Sequence, residues 1–476
     1  MKLSSSTPAR VLASTRAGVH EQSPKPMSPS RYPPSAATDW NWTLADDLAH
    51  RFGDSFYNFD EGQLRHNCDE ALRAFRTVYP RTQVAYSYKA NHLPAVCRTV
   101  TDAGLFADVA SELDLWLARR LGVPGERTVY TGTTRSADSL TAALATGCRV
   151  NLDSLREVRL LLEARDRLPP GVHPIGLRCA LSYEEVPVQR LGMDPTGEEF
   201  AAAVEAIRAS TTLRLAGLHG HTPGPSVAAF AARASQLIAI ANRWIPDDLD
   251  YLDVGGGFYG GVPAWSPEVD GPPPRFADYA EAIHEPLLAA FGRGTDGPLV
   301  IVEPGTSLVA NAFTYVTRVL AVKRVGRRRV VMVDGSLLDT SPNSRRVDFP
   351  VSMLRSVGNS LDEAGRTGGS GRTGEAVRTC RGAVPTGDAD PRHESLAAEG
   401  FDVAGSTLIE AEYMALDVAG PVSEGDFLVF ANVGAYSISM GTEFLRPRVA
   451  VVQNREGDWR AVRQAGTPRE VFPEIG

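Results

Sequence analysis

Four short segments of the chain carry residues that could act together on one small molecule. A lysine amine can condense with a carbonyl group to form an imine and so hold that molecule covalently. Successive glycines expose backbone N–H groups that can bind phosphate oxygens. A carboxylate can tune the protonation of a ring nitrogen. The segments are Lys89, His219-Gly220-His221, Gly255-Gly256-Gly257 and Glu303-Pro304-Gly305.

Each segment also has an ordinary explanation. A lysine after a strand is usually a solvated strand end, a glycine triplet is more often a turn, and Glu303 could simply end a strand. His219 and His221 could be metal ligands, but no third His or carboxylate lies near them in the sequence to complete a zinc site. We therefore predict no metal. The four ordinary explanations would have to coincide at one place in the fold, which favours a single functional site.

The elements that position these segments alternate between strand-like and helix-like patterns. Eight strands that alternate with helices over about 250 residues predict an α/β fold, a (β/α)8 TIM barrel, although a doubly wound open sheet gives the same local patterns. Active sites lie at the carboxyl ends of barrel strands, so the four segments would face one mouth. The predicted strands are 84–88, 106–109, 128–130, 149–152, 175–179, 214–218, 250–254 and 299–302.

Two helix starts can be placed from their capping residues. Asp60 is a candidate N-cap, and Gln63 three residues later would complete a capping box at the start of an amphipathic helix. Ser226 is a candidate cap for the helical pattern at 228–244.

The remaining chain divides into a tail, a leading segment and a second domain. We predict a disordered N-terminal tail at 1–40 and, at 41–60, a strand segment associated with the second domain. The barrel would span 61–311, and a C-terminal β-rich domain, barrel- or sandwich-like, would span 312–476 with a flexible insertion at 358–399. Its predicted strands are 313–323, 329–333, 404–409, 427–432 and 447–452.

Composition excludes several functional classes. Of 476 residues, 43% are hydrophobic and 22% charged, as in ordinary globular proteins. The net charge of −8 argues against nucleic-acid binding, and no apolar run is long enough to cross a bilayer. The five cysteines are scattered and form no ligand pattern, which indicates a reduced, cytoplasmic protein.

Seven segments in order resemble those of a known enzyme family. The chain is similar to the fold-type III (alanine racemase-like) pyridoxal-phosphate enzymes, within the diaminopimelate/ornithine/arginine decarboxylase group. The similarity runs from about 55 to 452. The segments are 56–60 (FYNFD), 86–91 (YSYKAN), 107–111 (ADVAS), 218–221 (LHGH), 252–258 (LDVGGGF), 303–305 (EPG) and, near the end, 424–426 with 434–440 (EGD and GAYSISM).

The resemblance implies a role for each candidate site residue. Lys89 would hold pyridoxal 5′-phosphate as a Schiff base, His221 would stack on its ring, and Glu303 would pair with the ring nitrogen. A protonated ring is a strong electron sink, so Glu303 favours decarboxylation over racemisation. The resemblance also implies a homodimer with the active site at its interface and a small amino-acid-like substrate. The implied cofactor-binding residues are Lys89, Asp108, His221, Gly255, Gly256, Gly257, Glu303, Gly305 and Tyr436.

Three departures from the family pattern bear on the substrate. Thr306 stands where relatives have an arginine, and it offers no charge. Leu408 stands where relatives have a cysteine supplied across the dimer interface, with Glu410 and Glu412 close by as acids. The family's His-x-Gly-Ser is replaced at 221–224 by His-Thr-Pro-Gly. The departures predict a specialised substrate, as in secondary metabolism, rather than diaminopimelate or ornithine.

Two alternative functions remain open at the level of sequence. The loss of the cysteine keeps open a racemase, epimerase or lyase reaction on the same scaffold. A non-catalytic pyridoxal-phosphate-binding protein is the other alternative, although the β-rich second domain argues against it, since relatives use that domain to complete the substrate pocket.

Overall fold

The computed structural model describes residues 38–183, 190–262, 272–292, 296–340, 349–356 and 400–475. The tail predicted at 1–40 lies outside the described residues except for its last three positions, and the insertion predicted at 358–399 lies wholly outside them.

Eight parallel strands close into a barrel, which confirms the predicted TIM barrel and excludes the open sheet. Closure is made by the pairing of the first and last barrel strands, in which Thr82, Gln83 and Val84 lie beside Val300, Ile301 and Val302. The eight predicted strands are all present, with ends shifted by up to two residues. They are β2 (Thr82–Ser87), β3 (Phe106–Val109), β4 (Thr128–Thr131), β5 (Arg149–Leu152), β6 (His173–Cys179), β7 (Leu213–Gly220), β8 (Tyr251–Asp253) and β9 (Leu299–Val302).

Helices surround the barrel because their apolar faces need to be buried against it. The Ser226 cap is confirmed: its side chain accepts from the backbone N–H of Ala229 at 3.2 Å. The helices of this part are α2 (Glu61–Val78), α3 (Pro94–Asp102), α4 (Glu112–Arg120), α5 (Ala137–Ala145), α6 (Leu155–Glu163), α7 (Glu198–Arg208), α8 (Val227–Trp244), α9 (Phe276–Phe291) and the short α10 (Thr306–Val309).

The predicted capping box of α2 is only half present. The Asp60 side chain accepts from the backbone N–H of Gln63 at 2.9 Å, as expected. The reciprocal bond is missing, because the Asp60 N–H donates to the carbonyl of Ala312 and the Gln63 amide donates to Asn67. The start of α2 is therefore tied to the end of the barrel rather than closed on itself.

A buried tyrosine fills the barrel interior below the mouth. The Tyr251 hydroxyl donates to Asn151 Oδ1 at 2.7 Å. A Cβ atom added at Gly176 or Gly217 would lie 2.3 Å from Tyr251 side-chain atoms, so both positions need glycine to admit the ring. This packing fixes the end of β8, from which Asp253 and the glycine triplet continue.

The second domain is a nine-stranded sheet that begins with a strand from before the barrel. In the leading segment, β1 (Ser55–Phe59) pairs with β10 and β16, and a helix that we did not predict, α1 (Trp42–Phe52), packs nearby. The other strands are β10 (Phe313–Val325), β11 (Arg328–Val333), β12 (Val351–Leu354), β13 (Phe401–Ala404), β14 (Tyr413–Val418), β15 (Phe427–Ala431), β16 (Ala450–Arg455) and β17 (Asp458–Arg463), with short helices α11 (Leu337–Thr340) and α12 (Pro468–Val471).

The predicted strand at 404–409 is wrong. Strand β13 ends at Ala404, and the following residues form turns as far as β14. The cause is Glu412, which is buried and accepts hydrogen bonds from Thr407 N at 2.8 Å, Leu337 N at 3.0 Å and Ser336 Oγ at 2.7 Å. One carboxylate thus folds the segment into a compact loop. The strands β12, β14 and β17 were also not predicted.

The two domains meet at the lysine turn. Asn91 Nδ2 donates to the carbonyl of Gly434 at 2.8 Å, and the Tyr436 N–H donates to the carbonyl of Ala90 at 2.6 Å. Ser439 Oγ donates to the carbonyl of Lys89 at 2.9 Å. A loop of the second domain therefore holds the backbone on which Lys89 stands.

Candidate active site

Lys89 lies in a single 3-10 turn, Tyr88–Ala90, directly after β2 ends at Ser87. Its Nζ is 3.1 Å from Ser87 Oγ and 3.1 Å from Asp108 Oδ2, and Asp108 lies in the neighbouring strand β3. The Lys89 side chain is 48% exposed, whereas that of Asp108 is 2% exposed. The amine therefore lies at the barrel mouth, accessible from solvent, while its carboxylate partner is inside.

The charges around Lys89 favour its ammonium form. Burial of the amine lowers the pKa of Lys89, but the carboxylates of Asp108 and Glu303 raise it by a larger amount. The net pKa is therefore above the ordinary value. Burial and the charge of Glu303 raise the pKa of Asp108 to about 6. At neutral pH the two groups form an ion pair, and Lys89 must release a proton before it can act as a nucleophile.

Glu303 follows β9 and faces the same mouth. Its Oε2 lies 3.3 Å from His219 Nε2, and its backbone N–H donates to the carbonyl of Gly255. Burial raises the pKa of Glu303, but His219 and Lys89 lower it more, so the net pKa is below its ordinary value. Its other oxygen, Oε1, is buried and accepts no hydrogen bond from an N–H or hydroxyl group of the described residues. The carboxyl group of Asp253 also hydrogen-bonds to Glu303, and a further donor at Oε1 would complete the hydrogen bonding of this ionised carboxylate.

Asp253 was not singled out from the sequence, and the structure places it beside Glu303. Side-chain atoms of His219, Asp253 and Glu303 lie within 4.8 Å of one another, and all three are buried. Burial and the charge of Glu303 raise the pKa of Asp253 well above its ordinary value, so Asp253 stays protonated while Glu303 is ionised. The burial of β8 and its Asp in the sequence Leu252-Asp253-Val254 was the available signal.

This cluster corrects one argument made from the sequence. We argued against a metal because no third ligand was near the two histidines, yet His219 has two carboxyl groups beside it. His221 is not part of that cluster. Asp253 Oδ1 already accepts from the Gly255 N–H at 3.0 Å. The absence of a metal stays a prediction.

His221 is held by the glycine triplet. Its Nδ1 accepts from the Gly256 N–H at 3.2 Å, so the other ring nitrogen carries the proton. Burial lowers the pKa of His221 well below its ordinary value, and the charge of Arg233 lowers it further. The imidazole is therefore neutral, and its orientation is fixed by a backbone bond.

The glycine triplet is required by close backbone contacts. A Cβ at Gly256 would lie 2.4 Å from the carbonyl oxygen of Glu303, and Gly257 has φ of +92°. The Gly255 and Gly256 amides are already used by Asp253 and His221, whereas the Gly257 N–H has no partner among the described residues. Within the triplet, Gly257 thus offers a backbone N–H donor to a ligand, whereas Gly255 and Gly256 allow the close approach of neighbouring backbone atoms.

Two further residues complete this rim. A Cβ at Gly305 would lie 3.0 Å from Ala90 Cβ and 3.1 Å from Ser87 Cβ, so glycine lets this loop approach the lysine turn. Tyr436 has a positive φ of 65° and lies close enough to Lys89 to raise its pKa. The structure therefore brings Lys89, Asp108, His221, Glu303, the glycines and Tyr436 together.

The candidate substrate residues do not all join this group. Thr306 begins α10 next to Gly305, and its Cγ2 would lie 2.4 Å from a Cβ added at Gly260. Leu408 is 87% exposed and Glu410 is exposed, so neither side chain lines the site of its own chain.

Comparison with known proteins identifies the family. Residues 65–310, more than half of the chain, match the family model for the pyridoxal binding domain of pyridoxal-dependent decarboxylases. The chain belongs to the pyridoxal-dependent decarboxylase family. This enzyme is therefore a pyridoxal 5′-phosphate (PLP)-dependent carboxy-lyase, which confirms the predicted family, cofactor and enzyme class.

Two relatives of this family member are diaminopimelate decarboxylases. The chain is 34% identical over 308 residues to diaminopimelate decarboxylase of Actinosynnema pretiosum, covering 62% of this chain and 67% of that one. It is 29% identical over 454 residues to diaminopimelate decarboxylase of Methanothermobacter thermautotrophicus, covering 90% and 92%.

Solved structures share the fold of this decarboxylase. Diaminopimelate decarboxylase from M. jannaschii in co-complex with L-lysine gives a TM-score of 0.73 at 21% identity, over 90% of this chain and 94% of that one. Lysine/ornithine decarboxylase from Vibrio vulnificus complexed with putrescine gives 0.66 at 18% identity, over 87% and 98%. At these identities the likeness establishes the fold. None of the helices in the described residues has the length and apolar character needed to span a membrane.

The residues at the mouth of this decarboxylase fit the cofactor. Glu303 Oε1 lacks a donor, and a protonated ring nitrogen would supply one. The Gly257 N–H lacks an acceptor within the described chain, and a phosphate oxygen would supply one. Lys89 offers the amine that a carbonyl group requires, at the exposed edge of the same site.

Proposed function

We propose that the enzyme decarboxylates a small amino acid or amino-acid derivative with Lys89, His221 and Glu303 as its catalytic residues. The observation that carries the proposal is the ionised, buried carboxylate of Glu303, one oxygen of which has no partner among the described residues. When bound, the cofactor supplies an electron sink for the carbanion left at Cα as CO₂ departs.

Each residue of the site has a separate role in binding the cofactor or supporting its chemistry. Glu303 would hold a proton on the ring nitrogen, because an adjacent negative charge favours the cationic form. The neutral His221, whose orientation is fixed by the Gly256 N–H, would stack on the ring. Lys89 would anchor the cofactor, and Asp108 orients its amine. Gly257, Gly305 and Tyr436 would bind the phosphate, with Gly255 and Gly256 giving the space for it.

Lys89 Nζ could also hold the proton that the reaction returns to the substrate. Its raised pKa makes the free amine an ammonium paired with Asp108 at the mouth of the barrel. Tyr436 and water are the other candidates to return a proton to Cα.

We propose that the substrate pocket differs from that of the named relatives. Thr306 has no charge with which to bind a second carboxylate, and Leu408 offers neither a thiol nor a polar group. We therefore assign a specialised substrate, in secondary metabolism, whose distal end carries neither the amino-acid group of diaminopimelate nor the amine of ornithine. The alternative is diaminopimelate decarboxylation itself, which is favoured by the names of the relatives.

We propose a homodimer with shared active sites. Leu408 is 87% exposed, Leu445 61% and Phe444 47%, which is unusual for large apolar side chains. The two stretches are neighbours, because Arg446 Nη1 donates to Ser406 Oγ at 3.3 Å. In a dimer, Leu408 and Glu410 would reach the partner's site. The enzyme would work in the cytoplasm, because the four cysteines of the described residues are all free and buried.

Substrate assays test the proposal. Purified enzyme supplied with PLP is incubated with single amino acids and with amino-acid pools, and CO₂ release is measured beside mass-spectrometric loss of CO₂. Loss of optical rotation without CO₂ release would indicate racemisation instead. Turnover of meso-diaminopimelate or ornithine at about 1 s⁻¹ or faster would contradict the altered pocket.

The dimer is tested separately. Sedimentation of the wild type against Leu408→Asp measures the oligomeric state, and Leu320→Asp, at an exposed leucine of β10 in the second domain, is the matched control. We expect Leu408→Asp to weaken the dimer and the activity together. A monomeric wild type that is fully active would rule out the shared site.

A further inference from the structure

Arg233 is a buried arginine beneath the glycine triplet. It lies on α8 and is 2% exposed. Its Nη2 donates to the carbonyl of Gly256 at 2.7 Å, and its Nη1 donates to the Thr222 carbonyl at 3.2 Å and to Thr222 Oγ1 at 3.1 Å. The guanidinium carbon lies 4.8 Å from the centre of the Phe230 ring. One side chain thus bridges two loops of the cofactor site.

Arg233 forms no direct ion pair within the described residues. The charge of Glu303 lies near enough to raise the pKa of Arg233, but no carboxylate there lies within ion-pairing distance of the guanidinium, and the Arg233 Nε has no hydrogen-bond partner. Burial lowers the pKa of Arg233 to about 10, so the group is still a cation at neutral pH. A buried cation without an anion is costly, and such groups are usually paired. An anion that arrives with a ligand would complete the pair.

The contacts of Arg233 also decide where a backbone donor points. In a trans peptide the carbonyl of one residue and the N–H of the next point in opposite directions. Because Arg233 holds the Gly256 carbonyl, the N–H of Gly257 points away from the arginine. That N–H is the amide of the triplet without a partner in the described chain.

The second loop is packed against the same glycine. A Cβ at Gly257 would lie 2.9 Å from the Gly224 carbonyl oxygen and 3.2 Å from that of Thr222. Arg233 binds the Thr222 carbonyl, so it fixes both sides of this contact. Thr306, which packs beside Gly260 just after the triplet, brings no positive charge.

We propose that Arg233 is the buried counter-charge for the phosphate of the cofactor and a positioning residue for the Gly257 donor. The proposal rests on the placement of the phosphate at Gly257 given under Proposed function. Arg233 acts through the loop and through its charge, and it takes no part in the bond changes at the substrate. Its contribution should therefore appear in the affinity for the phosphate group.

The experiment compares two ligands that differ in that group. Dissociation constants of the cofactor-free protein for PLP and for pyridoxal, which lacks the phosphate, are measured by absorbance titration for the wild type and Arg233→Gln. Glutamine keeps a donor for the Gly256 carbonyl and removes the charge. We expect PLP to bind about 10- to 100-fold more weakly, the range for loss of a charged interaction, and pyridoxal to change by less than about threefold.

Two further variants serve as controls. Arg233→Lys keeps a cation and should retain the preference for PLP over pyridoxal within about tenfold, even if Arg233→Gln does not fold. Arg243→Met removes an exposed arginine of the same helix that lies 4.8 Å from Trp244, and it should change neither affinity. Inorganic phosphate should raise the melting temperature of the cofactor-free wild type more than that of Arg233→Gln.

The outcomes separate this inference from the cofactor placement. If Gly257→Ala weakens PLP binding and Arg233→Gln does not, the placement stands and the role of Arg233 is refuted. An unchanged affinity in Gly257→Ala would refute the placement itself. Equal losses for PLP and pyridoxal in Arg233→Gln would show a merely structural arginine, as would a preference for PLP that falls more than about tenfold in Arg233→Lys.

Discussion

The two carboxyl groups beneath the mouth offer the sharpest test of the site, because the structure gives them different protonation states. Glu303 is ionised, with its pKa below the ordinary value, and Asp253 is protonated, with its pKa well above it. Glu303→Gln therefore removes a charge, whereas Asp253→Asn replaces a neutral donor by another neutral donor. The two variants change the same cluster and should differ widely in activity.

The magnitude follows from the burial of the pair. The Glu303 side chain is 5% exposed, so its charge is poorly screened by water. At about 3 Å and an effective dielectric constant of about 20, a carboxylate and a protonated ring nitrogen interact by about 5 kcal/mol. If about half of this is lost at the transition state, kcat of Glu303→Gln falls by about 10²-fold. For Asp253→Asn we expect a loss of about tenfold or less.

The loss of activity is measured by steady-state kinetics with a substrate that the amino-acid assays identify, together with the absorbance spectrum of the bound cofactor. Glu303→Asp keeps the charge on a shorter side chain and should recover part of the activity. The folded-state pKa of Glu303 is lowered, so its charge is lost only in acid below its ordinary range, and its loss should not limit kcat near neutral pH. Full activity in Glu303→Gln, or equal losses in both variants, would refute the charge assignment.

Three further predictions concern the lysine and the loops around it. Lys89→Ala should abolish the visible absorption of the bound cofactor without lowering the melting temperature of the cofactor-free protein. The control Lys323→Ala, on the surface of β10, should retain that absorption. A visible absorption band retained in Lys89→Ala would exclude Lys89 as the anchor. Asp108→Asn removes a negative charge and so lowers the Lys89 pKa. The pH midpoint of cofactor loading, measured by stopped-flow absorbance, should therefore move down by about one unit. An upward shift of this midpoint would contradict the prediction. Gly256→Ala places a Cβ against a backbone oxygen 2.4 Å away and should reduce stability in denaturant by about 1–3 kcal/mol, while Gly62→Ala, in the first turn of α2, should not; equal stabilities would mean that the loop can yield.

The barrel could be predicted because its local signals agree with its global shape. Each strand is an apolar run bounded by a helix pattern, and the right-handed βα alternation leaves few topologies. The caps were equally local: Ser226 bonds to Ala229, three residues away. Such signals lie within a few residues, so one sequence is enough to find them.

Contacts between distant segments could not be predicted in the same way. The Asp60 N–H is taken by Ala312, 252 positions later, which removes half of the expected capping box. Glu412 folds the segment 405–409 through bonds to residues 336 and 337, so a strand pattern there was misleading. In the second domain, short strands such as Val351–Leu354 are fixed by their neighbours in the sheet rather than by their own composition.

The site residues show the same difference between local signals and contacts with distant segments. Lys89, His221 and Glu303 could be placed at one mouth, because each follows a strand that the sequence reveals. Asp253 and Arg233 could not, because their role depends on burial and on the partners that burial supplies. A buried aspartate that ends a strand and an arginine on an apolar helix face have the same appearance in sequence as ordinary structural residues.

The hydrogen bonds from Asn91, Tyr436 and Ser439 across the domain junction have a practical consequence. They tie the backbone of the lysine turn to a loop that follows the barrel by more than a hundred residues. A fragment cut after the barrel would keep every strand of the cylinder and still lose this brace. The two domains are therefore poor building blocks for chimeras. A barrel fused to a foreign second domain would lose the hydrogen bonds that hold the backbone of Lys89, so the position of the Lys89 amine would no longer be fixed.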